Sequence, residues 1–349
     1  MSAMLTELHI EGFRCFQSLT ASPLGRVNLL VGKNNSGKTA FLDAVEMLVA
    51  DEHALRLASL FRRKEFVRRA AEDEQTGAPI WELFVYPLNW FFGHTFIENA
   101  VCRIAAQDRS IELLCRAEKP LFPGGWPLSI GVNRTPGEGS YNIRLNNDLA
   151  YQVQHFANEL AVHESSVRFL PTMRMETIQM TALWDEVQAN DEDALVLQTL
   201  RYIEPRVERL LARGEGEQRS FWVRLKGQKE LVRLSSVGDG MRHLLALALN
   251  VAMSANRYLL IDEIDLGLHH SVMAKMWRML IESARRLNIQ VFATTHSIDC
   301  INALAEVQKE LNLTAEDLML HRLEADLPHT ISYTPDEIVD AAKYDAEVR

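Results

Sequence analysis

Short apolar runs, each followed by a stretch of helical periodicity, set the layout of this 349-residue chain. Residues 28–31 read as a buried strand, and residues 39–45 behind them as an amphipathic helix. A second apolar strand, 257–261, ends on two carboxylates, Asp262 and Glu263. A third, 289–293, closes on Thr294, Thr295, His296 and Ser297. A further helix is predicted over 243–255, entered through a segment rich in Ser, Gly and Asp at 235–240. Strands alternating with helices predict an α/β fold built on a parallel sheet.

The middle of the chain follows another rhythm. Residues 99–118 and 141–153 alternate as antiparallel strands do, with turns at Gly124-Gly125 and at 136–139. Residues 183–212 read as one or two helices, and 221–233 as a hairpin turning at 226–229. Residues 56–71 look helical and basic, through Arg56, Arg62, Arg63, Lys64, Arg68 and Arg69; they suit either phosphate contact or a solvated face. Residues 81–96 are rich in aromatics, which either fill a core or a lobe interface, or stack on bases or a partner. No internal repeat or sustained heptad run is visible.

Composition narrows the class. Apolar content of 47 % and charged content of 24 % are those of a soluble globular protein, and the length suits about two domains. Glu7, His9 and Glu11 interrupt any N-terminal signal pattern. The longest apolar stretch, 244–255, contains Asn250 and Ser254 and is too short to span a bilayer, so no membrane partner is expected. The four cysteines (Cys15, Cys102, Cys115, Cys300) have no metal-ligand spacing and fit core thiols in a reduced, cytoplasmic setting. A net charge of −10 argues against a general nucleic-acid coat. A local basic strip remains open: residues 201–233 hold nine Lys/Arg against five Glu.

The candidate chemistry centres on residues 32–39. Gly32, Gly37, Lys38 and Thr39 occupy every fixed position of the phosphate-binding pattern G-x-x-x-x-G-K-[ST], between a predicted strand and a predicted helix. Gly32, Asn34, Asn35, Ser36, Gly37, Lys38, Thr39 and Ala40 are the expected polyphosphate cradle; Lys38 reaches the β- and γ-phosphates, and Thr39 holds Mg²⁺. Asp262 is the expected second Mg²⁺ residue, and Glu263 the acid that orients or deprotonates an attacking water. His296, at the C-terminal end of a strand, lies where open α/β sheets bind ligands and could donate to the γ-phosphate. The 235–240 segment is a second anion-binding surface at a helix start, or a plain N-cap.

These segments, in this order, resemble the ABC-class ATPases of the SMC, RecF and OLD groups. The opening Leu8-His9-Ile10-Glu11-Gly12-Phe13-Arg14-Cys15-Phe16 looks like their first strand and turn, which makes Arg14 a candidate to approach the nucleotide. Ser236 and Gly238 match the signature motif that the opposite subunit presents to the γ-phosphate, with Val237 replacing the usual first glycine. Asp262-Glu263 match the Walker B pair and His296 the switch histidine. The run from Glu263 to His269 resembles the D-loop of OLD-like defence ATPases, adding Asp265 to the nucleotide residues. The Gln-containing lobe-linking loop is not identifiable; Gln152, Gln154 and Gln179 all fit poorly. A nuclease domain like that of OLD nucleases does not fit in the roughly 50 residues after His296.

The resemblance implies an ABC-type head. Residues 1–50 and 232–349 would form the phosphate-loop nucleotide lobe with a mixed sheet, and 51–231 antiparallel strands and a helical lobe. It implies ATP and Mg²⁺ as cofactors, a slow ATPase, and a homodimer closed through ATP. The leading reading is a subunit that gates a separate effector, a nuclease or toxin, in prokaryotic anti-phage defence. A RecF-like DNA-repair ATPase and an ATP-dependent scaffold with little turnover are the alternatives.

Overall fold

The computed structural model describes residues 4–50, 67–72, 79–83, 101–117, 128–135, 141–145, 166–172, 175–214 and 219–343. The chain opens with β1 (Leu8–Phe13), β2 (Phe16–Ala21), β3 (Val27–Val31) and α1 (Lys38–Val49). Strands β4 (Val67–Glu72), β5 (Pro79–Leu83), β6 (Val101–Ala105), β7 (Ser110–Ala117), β8 (Leu128–Thr135), β9 (Tyr141–Leu145) and β10 (Val167–Leu170) follow. Helices α2 (Thr177–Ala189) and α3 (Asp193–Leu200) lead to β11 (Val207–Arg213), β12 (Ser220–Leu225) and β13 (Leu231–Arg233). A 3₁₀ turn, Leu234–Ser236, then enters α4 (Asp239–Ala252). The remainder is β14 (Tyr258–Ile261), α5 (His270–Arg286), β15 (Gln290–Thr294), α6 (Ile298–Leu311), β16 (Leu318–Arg322), β17 (Ile331–Tyr333) and α7 (Pro335–Lys343).

The central sheet runs β10-β14-β15-β3-β16-β17, parallel except for β17 at its edge. Strands β3, β14 and β15 are buried at every position, as parallel strands covered on both faces must be. Alternate residues serve opposite layers. Leu29, Leu259 and Val291 pack with the helices α2 to α7. Leu30, Leu260 and Phe292 pack with α1 and the antiparallel sheet β2-β1-β6-β7-β8-β9. This is the α/β architecture expected, a mixed-sheet nucleotide lobe with an antiparallel sheet and a helical layer.

Helix α1 lies between the two sheets, touching β1, β6 and β7 on one side and β10, β14 and β15 on the other. The expectation of an amphipathic helix therefore fails: every residue of α1 except Thr39 is buried, including Asp43 and Glu46. Asp43 is compensated by an ion pair with Arg14, and removing one partner of a buried pair typically costs ~3–5 kcal/mol.

The middle also departs from expectation. Residues 67–72 form β4, not the end of a basic helix; its partner β5 sets Glu82 opposite Arg68 and Trp81 opposite Arg69. The predicted helices end at Leu200, and 207–213 is a strand because β12 offers it a ladder. The hairpin over 221–233 is present as β12 and β13. Helix α4 starts at Asp239, four residues before the predicted 243. Cys102 and Cys300 are buried thiols, whereas Cys15 is exposed. The segments 51–66, 84–100, 118–127, 136–140 and 146–165, with most of the aromatic run, Gln152 and Gln154, lie outside the described residues. Gln179 sits in the first turn of α2, where its side chain accepts from the Glu176 N–H. Among the described residues no helix is long and apolar enough to cross a membrane.

Candidate functional site

The loop between β3 and α1 is shaped for an anion. Its backbone turns through left-handed conformations at Gly32 (φ 142°), Asn35 (φ 63°) and Gly37 (φ 98°). A Cβ on Gly37 would lie 2.5 Å from the Phe16 ring and 2.8 Å from the Cys15 Sγ, so only glycine fits. Gly37 caps α1 without a side-chain hydrogen bond, and the first helical bond runs from the Phe41 N–H to the Gly37 carbonyl. The N–H groups of Lys38, Thr39 and Ala40 thus have no acceptor within the helix and face the loop with the positive end of its dipole.

Lys38 is 5 % exposed and its Nζ donates to the carbonyls of Gly32 (2.8 Å) and Lys33 (2.7 Å). Ser36 beside it is also buried, while Asn34 and Asn35 are exposed at the loop's tip. Burial pushes the Lys38 ammonium down to about 8, against the opposing pull of Asp262 and Glu263. This yields a pH prediction. The ammonium is the form that attracts phosphate, so nucleotide affinity should hold below pH ~8 and weaken above it, by up to about tenfold per pH unit. Phosphate's own last proton is lost near pH ~6, well below that window. Titration calorimetry across it checks the prediction; a flat affinity profile would contradict it.

Strand β14 lies one strand away from β3, across β15. The Asp262 Oδ2 lies 3.4 Å from the Thr39 Oγ1, so hydroxyl and carboxylate are spaced to share one cation. Among the described residues no group of three His, Cys, Asp or Glu gathers as a metal cage. The donor set instead fits Mg²⁺, which takes one or two protein oxygens and completes its shell with phosphate and water.

Glu263 adopts φ 55°, a conformation that strains a non-glycine residue by ~1–3 kcal/mol. Thr294, buried at the end of β15, holds it there: its hydroxyl accepts from the Glu263 N–H (2.8 Å) and donates to the Asp262 Oδ1 (2.7 Å). Thr295 repeats the device one step on, donating to the Asp265 Oδ1 and accepting from the Ser297 N–H (3.0 Å). These two bonds bracket His296, which is exposed between them. Sequence reasoning quoted both threonines as the end of a strand and gave them no role; the available signal was a hydroxyl pair at the tip of the strand beside the Asp-Glu pair.

Arg14 is engaged with Asp43 of α1. Ser236 donates to the Arg233 carbonyl (2.6 Å), and Gly238 (φ 116°) caps α4 with open space where a Cβ would be. The first turns of α4 press on the loop after Glu263. A Cβ on Gly240 would meet the Gly267 carbonyl at 2.8 Å, and the His243 Nε2 lies 3.1 Å from the Ile264 carbonyl. Burial lowers the His243 pKa, so it donates to that carbonyl as a neutral ring. Sequence reasoning missed His243, since only the fold brings α4 to this loop. Among the described residues, the structure brings Lys38, Thr39, Asp262 and Glu263 into one cluster.

Comparison with known proteins places the chain in a family. The model of the family described as "AAA domain, putative AbiEii toxin, Type IV TA system" matches residues 107–300, more than half of the chain. The model described as "AAA ATPase domain" matches residues 4–113. An ATP/GTP phosphatase of Helicobacter pylori is 21 % identical over 360 residues, covering 95 % of each chain. An uncharacterized protein of Methanocaldococcus jannaschii is 39 % identical over 70 residues, 20 % of this chain and 61 % of that one. Among solved structures, an SMC head bound to the C-terminal winged-helix domain of ScpA aligns over 95 % of this chain and 97 % of that one, with 12 % identity and a TM-score of 0.49. The chain is an ATPase of the AAA-domain type, and it belongs to the family whose model carries the AbiEii toxin description.

Proposed function

We propose that two copies of this chain close around two ATP molecules and that slow hydrolysis reopens them, gating a separate effector in prokaryotic anti-phage defence. Bound ATP and Mg²⁺ would supply a phosphoanhydride and a Lewis acid for attack by water. Lys38 and the N–H groups of Lys38, Thr39 and Ala40 bind the phosphates, and Thr39 and Asp262 hold the cation. Glu263 accepts the proton of the attacking water, and His296 donates to the γ-phosphate. Ser236 and Gly238 serve the site of the other copy.

The observation that carries this reading is the start of α4. It is a 14-residue helix whose N-cap, Gly238, makes no side-chain cap bond and leaves open space on its outer side. An anion arriving from another molecule would meet the positive end of the helix dipole there. The same turns lean on Gly267 and Ile264, so closure onto a partner's phosphate would be felt at this copy's own Glu263 loop. The toxin–antitoxin wording of the matched family supports a partner effector. The alternative of assembly with little turnover draws on one observation: Val237, where the signature motif has glycine, is packed against the core.

Subunit mixing tests the shared site. Lys38→Ala and Ser236→Arg should each abolish turnover alone. Mixed, they should recover a measurable fraction of wild-type hydrolysis, because the heterodimer holds one site with an intact loop facing an intact Ser236. No recovery, with both variants folded and dimeric in ATP, would refute the composite site.

A further inference from the structure

We propose that the outward face of the β11-β12-β13 sheet is a docking platform for single-stranded nucleic acid, gripped through its phosphates by Arg209, Arg213, Arg224 and Arg233 and stacked on Trp222. The pairing puts these side chains on one face. Arg209 stands opposite Arg224, Leu211 opposite Trp222 and Arg213 opposite Ser220. On the other edge Trp222 stands opposite Arg233. The intervening positions, Leu210, Phe221, Val223 and Leu225, turn into the core.

A bulge creates the charge row. In the register set by Val207 and Leu225, Glu208 would face Arg224 and neutralise it. The register shifts between Val207 and Arg209, so Arg209 faces Arg224 instead. Like charges directly opposite destabilise a sheet, so nothing in the sheet's own stability rewards this exchange. Elsewhere in the same stretch arginines are matched: Arg206 with Glu204 (2.8 Å) and Arg219 with Asp185 (2.6 Å). Among the described residues, Arg209, Arg213, Arg224 and Arg233 pair with no carboxylate. The Arg224 guanidinium donates to the Lys229 carbonyl (2.9 Å), and the Arg233 guanidinium lies 5.0 Å above the Trp222 ring.

The occupant follows from that chemistry. A chain of net charge −10 concentrates unmatched cations where a polyanion can bridge them. Arginine planes beside an indole suit bases that are already unstacked, which favours a single strand over a duplex. Exposed Lys226 and Lys229, at a turn made by Gly227 (φ 81°), extend the positive row. Strand β13 runs directly into the turn that carries Ser236, so an occupant would lie beside the signature segment.

Fluorescence anisotropy of the full chain with a labelled mixed-sequence single strand, titrated across salt, tests this. Wild type should bind, and its log–log salt slope should fall by about 0.7 for each arginine neutralised. The double variant Arg209→Gln/Arg224→Gln should bind at least ~10-fold more weakly, and Trp222→Ala at least ~5-fold. The melting temperature of the double variant should hold or rise, because a repulsion has gone. If that variant does not fold, Arg213→Gln at the strand's exposed end repeats the measurement. No binding by wild type, equal binding by the variants, or a preference for duplex untouched by Trp222→Ala would overturn the proposal. So would charge variants that alter only capture of polyglutamate or the oligomeric state, which would mark an acidic protein as the occupant.

Discussion

Glu263→Gln should lower ATP turnover by about 10²–10⁴-fold while leaving nucleotide affinity close to wild type. The substitution keeps the shape of the side chain and removes its ability to take a proton. It also spares the fold locally, because Thr294 holds residue 263 through its backbone N–H, not its carboxylate. Lys38, Thr39 and Asp262 are untouched, so the phosphates and the cation keep their ligands. Steady-state phosphate release and equilibrium nucleotide binding, measured on one preparation, separate the two effects. A variant that turns over within tenfold of wild type would remove Glu263 from the chemistry.

Thr294→Val should reduce turnover and Mg²⁺ affinity together, by roughly 10–100-fold, the usual range for a residue that orients a metal ligand. Valine fills the same volume but strands two groups, the Asp262 Oδ1 and the Glu263 N–H. A buried group left without a partner costs ~1–3 kcal/mol, and here that cost falls on the strained backbone of Glu263 (φ 55°). Thr294→Ser restores the hydroxyl and should recover most of the loss. A merely packing role would lower the melting temperature without moving the Mg²⁺ titration, and that result would defeat the assignment.

These two residues also mark how far the sequence could be read. Glu263 was legible because it ends an apolar run beside Asp262, and a strand that ends in paired carboxylates is a local pattern. The phosphate loop and the strand before His296 were legible for the same reason. Thr294 was not, because its value comes from sitting beside β14, a neighbour set by strand pairing and not by spacing along the chain. Arg14 illustrates the same limit: its partner Asp43 is 29 positions away, on a helix whose burial on every side no amphipathic reading of 39–45 would suggest, Thr39 alone excepted. Residues 67–72 and 207–213 became strands because β5 and β12 offered ladders, which overrode the local charge and helical periodicity.

The order β15-β3-β16 has a consequence for how the protein is made. Strand β3 is synthesised long before both of its hydrogen-bonded neighbours, β15 and β16, which come from residues 290–294 and 318–322. Until synthesis has passed Thr294 this buried strand waits without either flank, and until it has passed Arg322 it lacks the second. Contacts of such sequence separation form slowly and leave edges open to wrong partners. A product that stops before Arg322 should thus be unable to retain ATP and prone to aggregate, which confines nucleotide loading to chains translated past that residue.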